Sequence, residues 1–170
     1  MKKIEYFLEK INTKNKEKLI KMHKYFLENF SDSKGSSYNH QTWEWWYFDH
    51  IKDILNFAEI LFETINSKIK KVDFELQDAF LVLFLHDIEK PIKYSKNNIL
   101  EFQNLKTNED IRNFLIKKFD IKLNELHKNA LKYIHWEWKD YSNKKRVSSP
   151  LATFCHICDV MSARIYFDKI

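Results

Sequence analysis

Gly35 is the only glycine in the chain, and apolar side chains recur at helical spacing over most of what surrounds it. A chain of 170 residues with average usage carries roughly a dozen glycines. A phosphate-cradling glycine loop needs at least two and a dinucleotide-binding G-x-G-x-x-G needs three, so both are excluded. Phosphate, if it is handled at all, is handled by side chains or a metal.

The periodic segments lie in six stretches. From Lys16 to Phe30, Leu19, Ile20, Met22, Tyr25, Phe26, Leu27 and Phe30 fall near a 3.6-residue period. A longer pattern over 41–69 places Trp46, His50, Ile54, Phe57, Ala58, Leu61, Phe62 and Ile65 on one broad face. The stretch 73–86 is the most apolar, and Pro91 keeps it from running far beyond. Thr107 with Asp110 resembles a capping box ahead of Ile111, Phe114, Leu115 and Phe119. A further helix is expected over 123–138. Ser149 as N-cap with Pro150 behind it opens a last helix towards Tyr166. Strand alternation is absent, so the expected fold is all-α. Only the serine-rich stretch 31–37 reads as a linker, and it comes too early to separate a pair of domains. One domain is expected over 1–170, with a helical extension and loop over 1–38 and a core over 40–168.

Of 29 basic residues only Arg112, Arg146 and Arg164 are arginine, leaving 26 lysines. That usage is what an AT-rich genome writes, yet the formal net charge of +5 still attracts anions mildly. Nucleic acid is therefore a possible partner but not the favoured one. Two cysteines make no disulfide framework. No apolar run approaches a membrane span, and Met1-Lys2-Lys3-Ile4-Glu5 is charged too early for a signal peptide. A cytoplasmic protein without a membrane partner is expected.

Seven histidines are present: His23, His40, His50, His86, His127, His135 and His156. His86 is the informative one. It ends the most apolar segment and Asp87 follows at once. Burying an imidazole beside a carboxylate costs several kcal/mol unless hydrogen bonds or a cation compensate. A divalent metal compensates both.

His86-Asp87 followed by Ile88-Glu89-Lys90-Pro91 resembles the HD superfamily of metal-dependent phosphohydrolases. The family's early helical histidine matches His50, and its late helical aspartate matches Asp159 within residues 155–164. The resemblance spans residues 40–168. It implies an HD-like helical bundle with a metal between core helices, held by His50, His86, Asp87 and Asp159. Two imidazoles and two carboxylates tolerate Mn²⁺, Co²⁺, Ni²⁺, Fe²⁺ or Zn²⁺. It further implies a metal that activates water and stabilises phosphoryl charge, with Asp87, Glu89 and Lys90 as catalytic candidates. Lys90 matches the family's lysine after the His-Asp pair; Lys93 is a second phosphate candidate, and both can equally be surface lysines.

Some members hold two metals through further histidines. His135 resembles part of their His-His-Glu segment, with Trp136 where the second histidine stands. His127, eight residues earlier on the expected helix, can face the same cleft; each is a candidate for substrate or a second ion. Glu89 replaces the family's glycine before the lysine, as a helix extension or as an added acid–base carboxylate. Cys155 and Cys158 read as apolar residues of the last helix, and His156 as a neighbour of Asp159 without being a ligand. The aromatic run over 43–48 fills core or, through Trp46, walls a substrate cleft, with Trp136 and Trp138 opposite.

The leading expectation is a phosphohydrolase acting on a nucleotide or similar small phosphate ester. Alternatives are a phosphodiesterase or nuclease acting on cyclic nucleotides or single-stranded nucleic acid, and a two-iron oxygenase. A degenerate HD fold serving as a binding module is the non-enzymatic alternative.

Overall fold

The computed structural model describes residues 1–34, 43–97 and 99–165, and among them regular structure is entirely helical. In chain order the α-helices are α1 (Ile4–Leu8), α2 (Thr13–Phe30), α3 (Trp46–Lys68), α4 (Leu76–Leu85), α5 (Lys90–Tyr94), α6 (Asn108–Lys118), α7 (Glu125–Tyr133) and α8 (Pro150–Ile165). Short 3₁₀ turns cover Leu100–Phe102 and Trp138–Asp140. Gly35, Ser36, Ser37, His40, Gln41 and Tyr166 lie outside the described residues.

The expected caps form where the sequence marks them. Thr107 and Asp110 exchange side chain-to-backbone hydrogen bonds of 3.0 Å each and start α6. Ser149 Oγ accepts from Ala152 N–H at the start of α8, behind which Pro150 occupies the first turn. Two further boxes form that the sequence reading does not mark, Glu75 with Asp78 on α4 and Asn124 with His127 on α7.

Two boundaries differ from expectation. Residues 43–45 form a turn and α3 opens at Trp46, because Trp45 adopts a left-handed φ of 70° that no helix continues. The helix expected over 123–138 ends at Tyr133, with Trp136 at φ 120° and Trp138 at φ 41°. Periodicity alone hides these stops. Positive φ is glycine's conformation, and a chain with one glycine places tryptophans there instead.

α4 is the central helix, with Ala79 to Leu85 buried on every side. α3 and α8 pack against it and against each other; α7 packs on α4 and α8. The N-terminal stretch is part of this core rather than an appendage. Phe7 meets Phe80 edge-on at 5.1 Å, and Leu8, Phe26 and Phe30 are buried in the same cluster. Each such side chain contributes about 1.5–3 kcal/mol on burial. Glu59 of α3 ties α1 down through Lys2 and Lys10.

Candidate metal centre

The site forms where α3, α4 and α8 meet. His50 comes from the second turn of α3, His86 caps the C-terminal end of α4, Asp87 follows it, and Asp159 projects from α8. One ligand atom from each lies within 4.8 Å of the others. His50 Nε2 is 3.2 Å from Asp159 Oδ1, and His86 Nε2 is 3.2 Å from Asp87 Oδ2 and 3.6 Å from Asp159 Oδ1. His50, His86 and Asp87 are buried.

These atoms are close but do not satisfy one another. His50 Nε2 and His86 Nε2 are buried without a hydrogen-bond partner, and Asp87 Oδ2 is met only by the Lys90 ammonium. Buried polar atoms are rarely left so, and two imidazole nitrogens around one point call for an explanation. A metal supplies one. Ligands about 2.1 Å from a common centre lie about 3.0–3.4 Å apart, the spacing of the closest pairs here. The residues therefore fit a divalent cation, by donor type and by orphaned atoms.

Contacts behind the donors hold their orientation. His86 Nδ1–H donates to the Leu83 carbonyl at 2.7 Å, which leaves Nε2 facing the cluster. His50 Nδ1 lies 3.0 Å from the buried Ser162 Oγ. Ser162 escaped the sequence reading, although its place three residues after Asp159 puts both on one face of α8. The Trp46 indole stacks on His50, with centroids 4.7 Å apart and planes at 11°.

Burial works against charge on each buried member, and the carboxylates prevail where they are nearest. Burial lowers the His50 pKa. It lowers His86 too, but Asp87 and Asp159 push that imidazole up to about 10. Burial raises Asp87, yet His86 and Lys90 hold it well below the usual carboxylate range. Burial likewise opposes the charge on Asp159, which His135, His50 and His86 depress strongly. Two carboxylates that stay ionised in a buried pocket need positive charge beside them, and here His86 and Lys90 supply it.

The rim carries further candidates. Lys90 Nζ forms a 2.6 Å ion pair with Asp87 Oδ2 and lies 4.7 Å over the Trp46 ring. Burial lowers the Lys90 pKa, but Asp87 outweighs it and the net shift is upward. His135, half-exposed, places Nδ1 3.5 Å from Asp159 Oδ2 and Nε2 3.6 Å from Asp87 Oδ1. Those carboxylates, Asp159 foremost, raise its pKa. His135 reaches the site because α7 stops short of it and the chain turns inward.

Other expected residues lie elsewhere. His127 is not brought to the site. Its Nε2 meets Asp78 Oδ1 at 2.8 Å, near the opposite end of α4 from His86 and about 12 Å of helix rise away. Trp46 is buried and occupied by His50, so it positions a ligand rather than walling a cleft. Lys93 is exposed on α5, its Nζ 5.4 Å from the Tyr94 ring. Glu89 is buried, with Oε2 unpartnered and its pKa raised by burial and by Asp87, so it is no solvated helix extension. His156 Nδ1 bonds to the Ile134 carbonyl at 2.7 Å, and Trp136 stands against His156 rather than among the donors. Cys155 and Cys158 are free and buried in α8, as apolar residues would be.

Compared with protein-family models, with curated proteins and with solved structures, the chain matches none. Among the described residues no helix is long and apolar enough to cross a membrane.

Proposed function

We propose that this chain is a metal-dependent phosphohydrolase of the HD type, cleaving a phosphate ester of a nucleotide. The observation that carries the reading is the convergence of His50, His86, Asp87 and Asp159, with both facing imidazole nitrogens buried and unpartnered. These four residues would hold the ion, which when bound supplies an acidified water and charge stabilisation at a phosphoryl oxygen.

The chain's own groups account for the rest. Ser162 and the Leu83 carbonyl hold the two imidazoles in register. Lys90 stands with its ammonium at the rim, where it can bind a phosphate oxygen while neutralising Asp87. His135 stands at the exposed side, 3.5–3.6 Å from the Asp159 and Asp87 carboxylates, and is the candidate to give a proton to a leaving oxygen. The buried Trp46 indole, stacked on His50, covers one face of that imidazole.

Elemental analysis of protein purified without added metal, followed by phosphate release from a nucleotide panel with Mn²⁺, Co²⁺ or Mg²⁺, tests this. Bound transition metal and metal-dependent release that Asp87→Ala abolishes are expected. A metal-free protein that gains no activity with any ion refutes the enzyme and leaves a binding module.

A further inference from the structure

The segment that delivers His135 to the metal centre continues into a surface of an unusual kind. Directly after it, Trp136, Trp138 and Tyr141 are 54%, 73% and 57% exposed, and with Tyr133 they line an open cavity of about 900 Å³. Large aromatics are costly to leave in water and belong to cores unless something covers them. Two of these are held with φ in the left-handed region. On that backbone both indoles stay more than half exposed.

The surface is not a frayed end. Glu137, buried beneath it, accepts hydrogen bonds from Val147 N–H at 3.2 Å and Ser148 N–H at 2.9 Å, closing the loop between them. Tyr133 Oη donates to Asp140 Oδ2 at 2.8 Å, and Lys132 pairs with the same carboxylate. Both acidic groups of the segment are thus spent on holding its shape. Lys139, Lys144, Lys145 and Arg146 remain exposed, with no carboxylate partner among the described residues. Arg146 lines a smaller cavity together with Trp136, and Tyr141 adjoins Lys144 and Lys145 in another. Aromatic faces and unpaired cations therefore alternate over one continuous patch that begins at the metal centre's rim.

We infer that this patch binds single-stranded nucleic acid, its bases stacking on Trp136 and Trp138 and its phosphates on Lys139, Lys144, Lys145 and Arg146. Stacking platforms flanked by cations are the physical requirement for holding an unpaired strand without reading its sequence. A duplex hides its base faces and cannot use the tryptophans; a lone nucleotide reaches too few of the cations. An acidic peptide satisfies the cations but leaves the indoles uncovered. The proposal deepens the phosphohydrolase reading, since the strand would run to His135 and Lys90, but binding itself does not depend on that reading.

The test measures fluorescence anisotropy of a labelled 20-residue oligothymidylate against the full chain in EDTA, so that strand binding is scored without the metal. Binding at 50 mM salt is expected, quenching tryptophan emission. Four neutralised phosphates give a log K against log salt slope of about −2.8. Trp138→Ala should weaken binding about tenfold with the slope unchanged, whereas Lys144→Ala combined with Lys145→Ala should flatten the slope by about 1.4. Both variants are exposed and should keep the parent's thermal melt. No binding of the oligonucleotide overturns the proposal. So does equal affinity for a duplex, equal competition by polyglutamate, or a Trp138→Ala affinity that does not change. Failure of phosphate release with intact strand binding would count against the enzyme reading alone.

Discussion

Loading the metal centre should stabilise the whole fold, and by an amount the structure bounds. Two buried atoms, His50 Nε2 and His86 Nε2, lack a hydrogen-bond partner. Each costs about 1–3 kcal/mol in that state, so about 2–6 kcal/mol of desolvation is there for a cation to relieve. A ligand at a hundred times its dissociation constant adds about 2.7 kcal/mol to stability, well within that bound. For a chain of this length 1 kcal/mol moves Tm by about 2–4 °C, so saturation should raise Tm by about 5–11 °C. The assay is thermal unfolding in EDTA against a series of Mn²⁺, Co²⁺, Ni²⁺ and Zn²⁺. Asp159→Asn serves as the control, since it keeps the side-chain shape and removes one donor charge. A Tm that no ion moves, or an equal rise in Asp159→Asn, would refute the reasoning, because the gain would then owe nothing to these donors.

Ser162→Ala removes the partner of His50 Nδ1 and should weaken metal binding about 10- to 100-fold by calorimetric titration, with the four donors untouched. Tyr47 has a fully buried hydroxyl without a hydrogen-bond partner, so Tyr47→Phe should raise stability by about 1 kcal/mol in urea unfolding. Burial lowers the pKa of His23, which packs against Phe48 and Phe84, while Glu5 opposes the shift only in part. With a depressed folded pKa, His23 contributes stability that is whole above the unfolded value of about 6.5 and declines as pH falls below it. His23→Phe should therefore flatten the loss of stability between about pH 6.5 and 5, as followed by denaturant midpoints; an unchanged slope would exonerate His23.

The legible parts of this protein are those written in local chemistry. The Thr107–Asp110 box and the Ser149-Pro150 start appear in the structure because each cap needs only residues three apart. His86-Asp87 could be singled out because two polar groups ended an otherwise apolar helix, and burial of that kind needs compensation. What failed was also local in origin. The His127 expectation assumed one continuous helix to Trp138, and nothing in apolar periodicity announces that Trp136 and Trp138 take left-handed backbone. Trp46 was ambiguous because a core aromatic and a cleft aromatic have the same side chain. Only its stacking on His50 separates them.

By itself, the sequence determined a helical chain without glycine loops and two of the helix caps, and it singled out His86-Asp87; the family resemblance added His50 and Asp159. Periodicity and capping act over a few residues, so they survive without knowledge of the fold. The tertiary structure alone decided that the donors meet with two imidazole nitrogens unpartnered, that His135 joins them while His127 serves Asp78, and that Glu89 is buried. Those outcomes depend on how α3, α4, α7 and α8 pack across separations of up to 109 residues between His50 and Asp159. Side-chain partners at that range are set by packing, which no local pattern encodes.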